Sequence, residues 1–420
     1  FLDVDYEILL VSNYGNENFR VYLFKNAELF EREGIYLDKE GKPYKDDFFR
    51  YLVFSSAVVN FIKDKDYDII HCHDWHSSFT IIYLKYLKLN FKTVFTIHNI
   101  AYQGIFDKEI LNSINKMELS FKDFILSSCE YFSKINLMKG AIELSNIVTT
   151  VSPNYAYEIQ NYSEFGMGLE NILKNNSYKL IGILNGLDYD LWDPSKDTNL
   201  YKPYDINNAN ELKNYNKTKL LQDLKITNIN NELPLFGVVA RLDYQKGFDI
   251  LYDSFKLLMD NNLKAYLIVL GTGNPDIQRQ IEKLALDYPN YVSVNIKFSE
   301  ELARKIYAAS DFFLIPSRFE PCGLSQMISY RYGTIPIATK TGGLKDTVID
   351  IFEDKLNGTG ILIDKANPNL LFEALKKAIN LYSNKDYISN LRKKIMKLDY
   401  SWKYSSQKYL QTYNQLLSLI

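Results

Sequence analysis

Short runs of β-branched and apolar residues, each closed by a polar or glycine turn, alternate along the chain with longer stretches of helical period. The runs that are typical of strands lie at 67–74, 91–99, 145–154, 178–186, 233–242, 264–273, 312–317 and 334–339. Strands separated by helices are characteristic of βαβ units. The sequence therefore predicts an α/β protein built on parallel sheets.

The chain has 420 residues, which is too long for one ordinary hydrophobic core and favours two domains. Residues 193–217 are polar, rich in asparagine and without apolar periodicity. Such a composition is typical of an exposed connector, so the domain boundary is expected there.

Composition and net charge indicate which partners and which compartment to expect. Hydrophobic residues make up 46% of the chain, charged residues 24%, and the formal net charge is -2. Nucleic acid and anionic membranes are therefore not expected as partners. The three cysteines, Cys72, Cys129 and Cys322, have no paired spacing, which favours a reducing compartment and a cytoplasmic location.

All four histidines fall between positions 71 and 98. His71 and His73 share one face of a predicted strand, and Asp74 begins the turn at its carboxyl end, where open α/β sheets bind ligands. One interpretation is a metal site, but Asp74 stands one place early for the HxHxDH pattern of zinc hydrolases and no later histidine completes it. The other is a set of core histidines. His98 and Asn99 end the next strand, where neutral donors suit a polyhydroxyl ligand.

Two basic residues follow the strand at 233–242. Arg241 and Lys246 are five positions apart across a turn. A guanidinium fork and an ammonium group so placed can hold a diphosphate and neutralise its charge as a leaving group. The alternative is a pair of solvated surface charges.

Glu320 lies in a loop after Pro316, just before a predicted helix start whose free amides can accept phosphate. A buried structural glutamate is the alternative. Gly342 and Gly343 lie between another strand and a helix, so that backbone can approach a ligand closely.

Two further motifs do not predict a site. The GTG at 271–273 is too short for the GxGxxG pattern of NAD-binding proteins. Asp188 and Asp190 form a DxD string, a metal-nucleotide signature found in one class of sugar-transferring enzymes, and their context argues against that role.

Taken together, HCHDWHSS, FTIHNIAYQG, VTTVSPNYAYEI, GILNGLDYDLWDP, VARLDYQKGFDIL, PSRFEPCGLSQM and KTGGLKDTV resemble the bacterial glycogen and plant starch synthases in order and spacing. The resemblance extends from about residue 6 to residue 413. It implies the GT-B fold, with two Rossmann-like domains facing a central cleft. It also implies transfer of glucose from a nucleotide sugar to the 4-hydroxyl of a glucan's non-reducing end, retaining the α configuration, with no metal or other cofactor.

The resemblance also implies a division of the chain. We expect an acceptor-side catalytic domain, a connector, a nucleotide-sugar-binding domain and a final helix that crosses back to the first domain, at 1–192, 193–217, 218–399 and 400–420.

The roles of site residues are carried over in the same way. Arg241, Lys246, Glu320 and His98 are expected to be catalytic, with the first two holding the donor's phosphates. The other donor-binding residues are expected to be Asn185, Cys322, Gly323, Leu324, Thr341, Gly342 and Gly343. The acceptor-binding residues are expected to be Asp74, Trp75, Asn99 and Tyr102. ADP-glucose is the predicted donor and an α-1,4-glucan the acceptor.

The chain departs from the family pattern in two places. Position 328 is Ile where relatives in the wider superfamily have a second glutamate, as is typical of the starch synthase branch. No KxGGL loop precedes residue 71, and the chain begins without Met, so we expect an N-terminal truncation and reduced activity.

Two alternatives of function remain. One is a glucan synthase that uses UDP-glucose, and the other is a catalytically inactive glucan-binding homologue. A plastid location is expected if the source is a plant or alga. The sequence predicts no oligomeric state.

Overall fold

The computed structural model describes residues 4–11, 19–36, 38–39, 41–114, 117–227 and 229–418. The chain forms two compact units. The first comprises 1–150, 156–182 and 410–420, and the second comprises 151–155 and 183–409. Apart from 410–420, the first unit thus ends at Gly182, whereas the predicted first domain ends at 192.

The described residues of the first unit form three small sheets. Its strands are β1 (Glu7–Val11), β2 (Val21–Lys25), β3 (Ile69–His73), β4 (Lys92–Ile97), β5 (Ile105–Asp107), β6 (Glu130–Tyr131), β7 (Lys134–Asn136), β8 (Ile147–Thr150) and β9 (Leu180–Gly182). β3, β4, β8 and β9 form a parallel sheet in that order, β5, β7 and β6 an antiparallel one, and β1 pairs with β2. The parallel sheet consists of the strands predicted in this half.

The helices of the same part of the chain are α1 (Ala27–Phe30), α2 (Asp47–Ile62), α3 (Ser78–Tyr86), α4 (Ile110–Ser113), α5 (Leu119–Cys129), α6 (Leu137–Leu144), α7 (Pro153–Asn161), α8 (Ser163–Gly166) and α9 (Glu170–Asn175). β4 is buried along almost its whole length, as expected of a central strand with both faces covered.

The second unit is built on one parallel sheet of six strands. They are β10 (Leu235–Val239), β11 (Tyr266–Leu270), β12 (Val292–Asn295), β13 (Phe312–Ile315), β14 (Ile335–Thr339) and β15 (Ile361–Ile363). Their order across the sheet is β12-β11-β10-β13-β14-β15, which is the 3-2-1-4-5-6 order of the Rossmann fold. The predicted α/β class with Rossmann-like parallel sheets is confirmed.

The helices of this half are α10 (Ala209–Asp223), α11 (Leu251–Asp260), α12 (Pro275–Asp287), α13 (Glu300–Ala309), α14 (Ser325–Arg331), α15 (Gly342–Thr347), α16 (Pro368–Tyr382), α17 (Lys385–Ile395) and α18 (Trp402–Ser418). Several begin at local capping signals. Asn274 accepts hydrogen bonds at the start of α12 and Pro275 occupies the first turn, and Asn367 and Pro368 repeat the arrangement in α16.

The end of α18 packs on the parallel sheet of the first unit. Leu416 joins Val94 of β4 and Ile147 of β8 in one buried cluster, with Tyr413 against it. The last nine described residues of the chain therefore belong to the first unit, and Leu416 lies in its core. Within the described part of the chain, no helix is both long and apolar enough to cross a bilayer.

The segment 193–217 differs from the exposed connector that its composition predicts. Its second part lies in α10, where Lys213, Asn216 and Lys217 are buried. The ammonium group of Lys213 donates to the carbonyl oxygens of Ala308 and Tyr332, each at 2.9 Å, and to Thr334 Oγ1 at 2.8 Å. Three of the seven buried residues of this helix are thus polar, which weakens the apolar periodicity that would have revealed it.

Asp311 is the centre of a buried ion-pair network in the second unit. Its Oδ2 lies 2.7 Å from Lys217 Nζ and accepts from the Leu235 amide at 2.9 Å, while Oδ1 pairs with Arg392 of α17. Burial opposes ionisation of Asp311, but Lys217 and Arg392 hold the pKa of its carboxyl below the ordinary value. One carboxylate thus joins α10 and α17 to the start of β13.

Substituting Asp311→Asn should destabilise the second unit strongly. Two buried cations would lose their counter-ion, and breaking a buried pair in this way costs about 3–5 kcal/mol. Hydrogen–deuterium exchange of peptides covering β10 and β13 should become faster. Asp260→Asn, which removes the exposed partner of Lys256, is the matched control and should leave exchange unchanged. Equal protection in the two variants would contradict this assignment.

Candidate active site

The sheet of the second unit reverses its strand order between β10 and β13. In open α/β sheets, the crevice outside the carboxyl ends of the strands at such a switch point is the usual ligand site. The loop after β10 carries Arg241 and Lys246, and the loop after β13 carries Glu320. The predicted basic pair, Arg241 and Lys246, and the predicted acidic residue, Glu320, therefore lie at the same edge of the sheet.

Lys246 and Glu320 form the central ion pair of the site. Lys246 Nζ lies 2.6 Å from Glu320 Oε2, and Ser317 Oγ donates to the same oxygen at 2.9 Å. Both contacts fall on Oε2, so neither uses Oε1. Glu320 is only 7% exposed, and the ion pair explains how its charge is kept at a buried position.

The backbones of the two loops touch. Gly247 has φ 73°, and a Cβ there would lie 1.9 Å from the carbonyl oxygen of Pro316. Arg318 makes a two-pronged ion pair with Asp249, with N–O distances of 2.6 and 2.8 Å, and its guanidinium lies 3.7 Å from the ring centroid of Tyr244. Because these contacts fix one loop against the other, they keep Lys246 close to Glu320.

A third loop, after β14, packs against the Glu320 segment. Gly342 has φ 45°, and a Cβ there would lie 1.9 Å from the carbonyl oxygen of Glu320. The amide of Gly343 donates to the same carbonyl at 3.1 Å. The glycine pair is thus required for the close approach of two backbones.

The remaining predicted donor residues lie around these loops. Cys322 is buried, the backbone amide of Asn185 donates to its sulfur, and burial raises the pKa of the thiol to about 12. A thiol of that pKa is not a nucleophile at neutral pH. Thr341 is buried, whereas Leu324 is 44% exposed and Gly323 adopts φ 72°.

Arg241 differs from Lys246 in exposure. Its side chain is 58% exposed and lies 3.5 Å from Asp243, a distance between Nη2 and Oδ2. Asp243 also accepts from the backbone amide of Lys246 at 2.8 Å. The guanidinium is therefore the more accessible of the two basic groups.

Sequence reasoning missed Ser317. Its hydroxyl is buried and donates to Glu320, and the residue lies three positions before that glutamate in PSRFEP. The available signal was a small hydroxyl residue directly after the strand, where it can reach a carboxylate in the following loop.

In the first unit, three of the four histidines meet at the carboxyl ends of β3 and β4. His71 uses both ring nitrogens: Nδ1 lies 2.7 Å from the hydroxyl of Tyr413 and Nε2 lies 2.6 Å from Thr96 Oγ1. Burial, with smaller contributions from His73 and His98, lowers the pKa of His71 to about 3. His71 is thus a neutral structural histidine that ties β3 to α18.

His73 Nδ1 lies 3.0 Å from His98 Nε2, so one ring donates and the other accepts. Burial lowers the pKa of both rings, and for His73 the proximity of His98 adds to it. Both rings therefore favour the neutral form.

Asp74 holds the backbone between the two strand ends. Its Oδ1 accepts from the His98 amide at 2.8 Å, and its own amide donates to the carbonyl of Thr96 at 2.9 Å. Burial raises the pKa of the Asp74 carboxyl, which the amides of His98 and Asn99 oppose. Asp74 has φ 57° and ψ 174°, a conformation that is nearly restricted to glycine and that is found most often at functional sites.

The other predicted acceptor residues differ in exposure. Tyr102 is 52% exposed, and Asn99 uses Oδ1 to accept from the amide of Ala101. Trp75 is buried, and its indole lies where a Cβ on Gly104 would approach to 2.5 Å. The indole of Trp75 therefore packs against Gly104 and supports the loop that contains Tyr102.

The two patterns that suggested metal do not form ligand sets in the described residues, where no group of three or more His, Cys, Asp or Glu side chains is placed to hold an ion. Asp188 Oδ1 accepts from the amides of Asp190 and Leu191, at 2.9 and 3.2 Å. The DxD string is therefore a local turn.

Comparison with known proteins follows the same division of the chain. Residues 3–175 match the family model of the starch synthase catalytic domain, and residues 222–395 match that of the group 1 glycosyl transferases. The glycogen synthase of Clostridium novyi (strain NT) is 41% identical over 409 residues, covering 95% of this chain and 82% of the relative. That of Geotalea uraniireducens (strain Rf4) is 40% identical over 406 residues, with the same coverage.

The chain belongs to the glycogen and starch synthase family. The predicted resemblance and the enzyme class, a glucosyltransferase of glucan synthesis, are confirmed by these relatives.

Solved structures agree with this assignment. The catalytic domain of starch synthase IV from Arabidopsis thaliana, bound to ADP and acarbose, has a TM-score of 0.86 and 34% identity, covering 98% of this chain and 85% of that one. A sucrose-phosphate synthase from Thermosynechococcus elongatus, 19% identical with a TM-score of 0.59 over 92% of this chain and 81% of its own, shares the fold. The synthase family and the GT-B fold class are thus both established for this chain.

Substituting Ser317→Ala in this synthase should lower kcat. A hydrogen bond to a charged group is worth about 1.5–3 kcal/mol, and its loss would let Glu320 move, so we expect a decrease of about tenfold or more. Ser254→Ala, which removes another buried hydroxyl bonded to a helix carbonyl, is the matched control. Steady-state assays of glucosyl transfer measure both variants. Equal kcat in wild type and Ser317→Ala would contradict the role.

The ring of His71 should remain neutral well below the ordinary pKa of 6.5. The unfolded chain takes up a proton as the pH falls through 6.5, whereas the folded chain does so only near the pKa of about 3, so stability decreases as the pH falls through this window. NMR of the histidine-labelled protein, assigned with His71→Gln, measures the titration. A His71 signal that titrates near 6.5 would show the buried network to be absent.

Proposed function

We propose that this enzyme transfers glucose from ADP-glucose to the non-reducing end of an α-1,4-glucan. The observation that carries the proposal is the ion pair of Lys246 and Glu320, with Arg241 nearby in sequence, at the switch point of a Rossmann-like sheet. The choice of donor is supported by the relative from Arabidopsis thaliana, which binds ADP, the nucleotide that ADP-glucose would release. UDP-glucose is the alternative donor.

Arg241 and Lys246 would bind the diphosphate of the donor. As the bond between C1 of glucose and the phosphate oxygen breaks, negative charge grows on that oxygen. A guanidinium fork and an ammonium group stabilise such charge most strongly in a site that excludes water. Both would therefore act on the transition state more than on the bound substrate.

The bound phosphate would compete with Glu320 for Lys246. Lys246 Nζ lies 2.6 Å from Glu320 Oε2, so donor binding would supply the ammonium with a second anion. Ser317 would keep Oε2 in place, and Oε1 would accept from the hydroxyls of the transferring glucose. Cys322, Gly323, Leu324 and the loop at Thr341–Gly343 would line the same position, with Asn185 beside Cys322.

The acceptor would be bound by residues of the first unit. His98 would hydrogen-bond the sugar near the reacting carbon, while Asp74, Asn99 and Tyr102 would contact the glucan. The ring of His98 already shares a hydrogen bond with His73, which sets its orientation. Trp75 would act indirectly, through the loop at Gly104.

We propose a transfer that retains configuration and needs no metal. The acceptor 4-hydroxyl attacks C1 from the face that the phosphate leaves, its proton passes to the departing phosphate oxygen, and the C1–O4 bond forms as the C1–phosphate bond breaks. Positioning and electrostatic stabilisation would supply most of the decrease in barrier.

Release of ADP or UDP in the presence of glycogen tests the donor. We expect transfer from ADP-glucose to exceed transfer from UDP-glucose and to persist with a chelator. Lys246→Ala and Glu320→Gln should each decrease kcat by about two to three orders of magnitude. Lys264→Ala, an exposed lysine distant from these loops in sequence, is the control.

Three outcomes would contradict parts of the proposal. Faster transfer from UDP-glucose than from ADP-glucose would identify UDP-glucose as the donor. Loss of activity with the chelator would contradict the metal-free mechanism. Binding of glycogen without transfer from either donor would instead support a catalytically inactive glucan-binding homologue.

A further inference from the structure

A glutamine is fully buried behind the loop that carries Cys322 and Gly323. Gln326 lies in the first turn of α14, and none of its surface is exposed. Its Nε2 donates to the carbonyl oxygens of Cys322 at 3.1 Å and of Gly323 at 2.8 Å, and to Thr347 Oγ1 at 3.0 Å. The two N–H bonds of one side-chain amide are thus shared among three acceptors.

The contact with Thr347 joins this glutamine to the glycine loop after β14. Thr347 is buried in α15, and its Oγ1 donates to the carbonyl of Gly343 at 2.7 Å. A chain of hydrogen bonds therefore runs through the interior, from the two loop carbonyls bound by Gln326, through Thr347, to the glycine loop.

The oxygen of the same amide has no partner. Among the described residues, none donates to Gln326 Oε1, which is buried. A Cβ on Gly323 would lie 2.5 Å from this oxygen. A buried acceptor without a donor is costly, and an apolar side chain of the same size would avoid that cost. The position is therefore explained by the donors of the amide and not by its volume.

The carbonyl contacts determine which way two peptide groups face. The carbonyls of Cys322 and Gly323 point inward at Gln326. In a planar trans peptide the N–H points away from the C=O, so the amides of Gly323 and Leu324 point to the opposite side of the loop, where Leu324 is 44% exposed. Within the described part of the chain, neither amide has an acceptor. Successive N–H groups next to a left-handed residue, here Gly323 with φ 72°, form a concavity that suits an anion.

We propose that Gln326 is a positioning residue of the donor site. By holding two carbonyls of the loop inward, it aims the amides of Gly323 and Leu324 at the diphosphate of the donor. This inference rests on the proposed function, which puts the donor at these loops. Gln326 itself touches no substrate, because it is buried behind the loop. It acts on the nucleotide and on the leaving phosphate, and it has no effect on the glucan.

Nucleotide binding measures this role directly. Gln326→Met keeps the length of the side chain and removes its donors, so ADP should bind about tenfold more weakly than to wild type in titration calorimetry. In transfer assays the half-saturation concentration of the nucleotide sugar should rise and kcat should fall, while the half-saturation concentration of glycogen stays unchanged.

Asn216→Leu is the matched control. Asn216 is a fully buried amide of α10, and its Nδ2 also donates to two carbonyls, those of Lys202 and Leu212, each at 2.8 Å. Its replacement should lower the unfolding temperature without changing ADP affinity. The same pattern in Gln326→Met, with lower thermal stability and unchanged ADP affinity, would assign Gln326 a structural role and overturn the proposal.

Gln326→Glu tests the same contacts through their pH dependence, and it keeps the shape of the native side chain if Gln326→Met folds poorly. A protonated carboxyl retains one O–H donor for the loop carbonyls, whereas the ionised form offers them only acceptors. Burial raises the pKa of a carboxyl, so the protonated form extends toward neutral pH. The ADP affinity of this variant, relative to wild type at the same pH, should therefore fall as the pH rises. A constant ratio would contradict the role.

Calorimetry without acceptor also separates this inference from the proposed function. Weaker ADP binding by Gln326→Met supports the inference even if wild type transfers no glucose from ADP-glucose. Equal ADP affinity of wild type and Gln326→Met overturns the inference even if transfer is normal. UDP is titrated in parallel and is interpreted in the same way if it binds wild type more tightly. A wild type that binds neither nucleotide would overturn both the inference and the proposed function.

Discussion

The adjacency of β10 and β13 is the constraint on which the site depends. Because the strands are parallel neighbours, both loops that follow them emerge at one edge of the sheet, and Lys246 reaches Glu320 at 2.6 Å. Gly247 and Gly342 allow the backbones to pack without intervening side chains. The ion pair is therefore a product of sheet topology, since the two residues are 74 positions apart.

Buried polar groups hold the architecture around that edge. Asp311 joins Lys217 and Arg392 at the start of β13, and Lys213 satisfies carbonyls at the ends of α13 and α14. In the first unit, the ring of His71 is hydrogen-bonded to Thr96 and to Tyr413 and so joins the two residues. Because unpaired polar groups are costly in a low-dielectric interior, each network specifies one arrangement of its helices against the sheet.

Much of the site was predictable because its residues follow strands. Arg241, Lys246 and Glu320 stand after β10 and β13, and His98 and Asn99 stand after β4, so local pattern and the rule for parallel sheets place them at ligand-binding edges. Their partners were not predictable. Ser317 binds Glu320 through a buried hydroxyl, and the buried face of α10 includes two lysines and an asparagine, residue types that ordinarily indicate exposure.

The sequence by itself determined the α/β class, the four strands of the first parallel sheet, four of the six strands of the second (all but β12 and β15) and the family of the enzyme, because alternating periodicity and motif order are local properties of the chain. Only the tertiary structure decided the Lys246–Glu320 contact and the neutral state of His71. Each of these depends on side chains brought together by strand order and helix packing. Tyr413, for example, reaches His71 across 342 positions, a distance that no local pattern can encode.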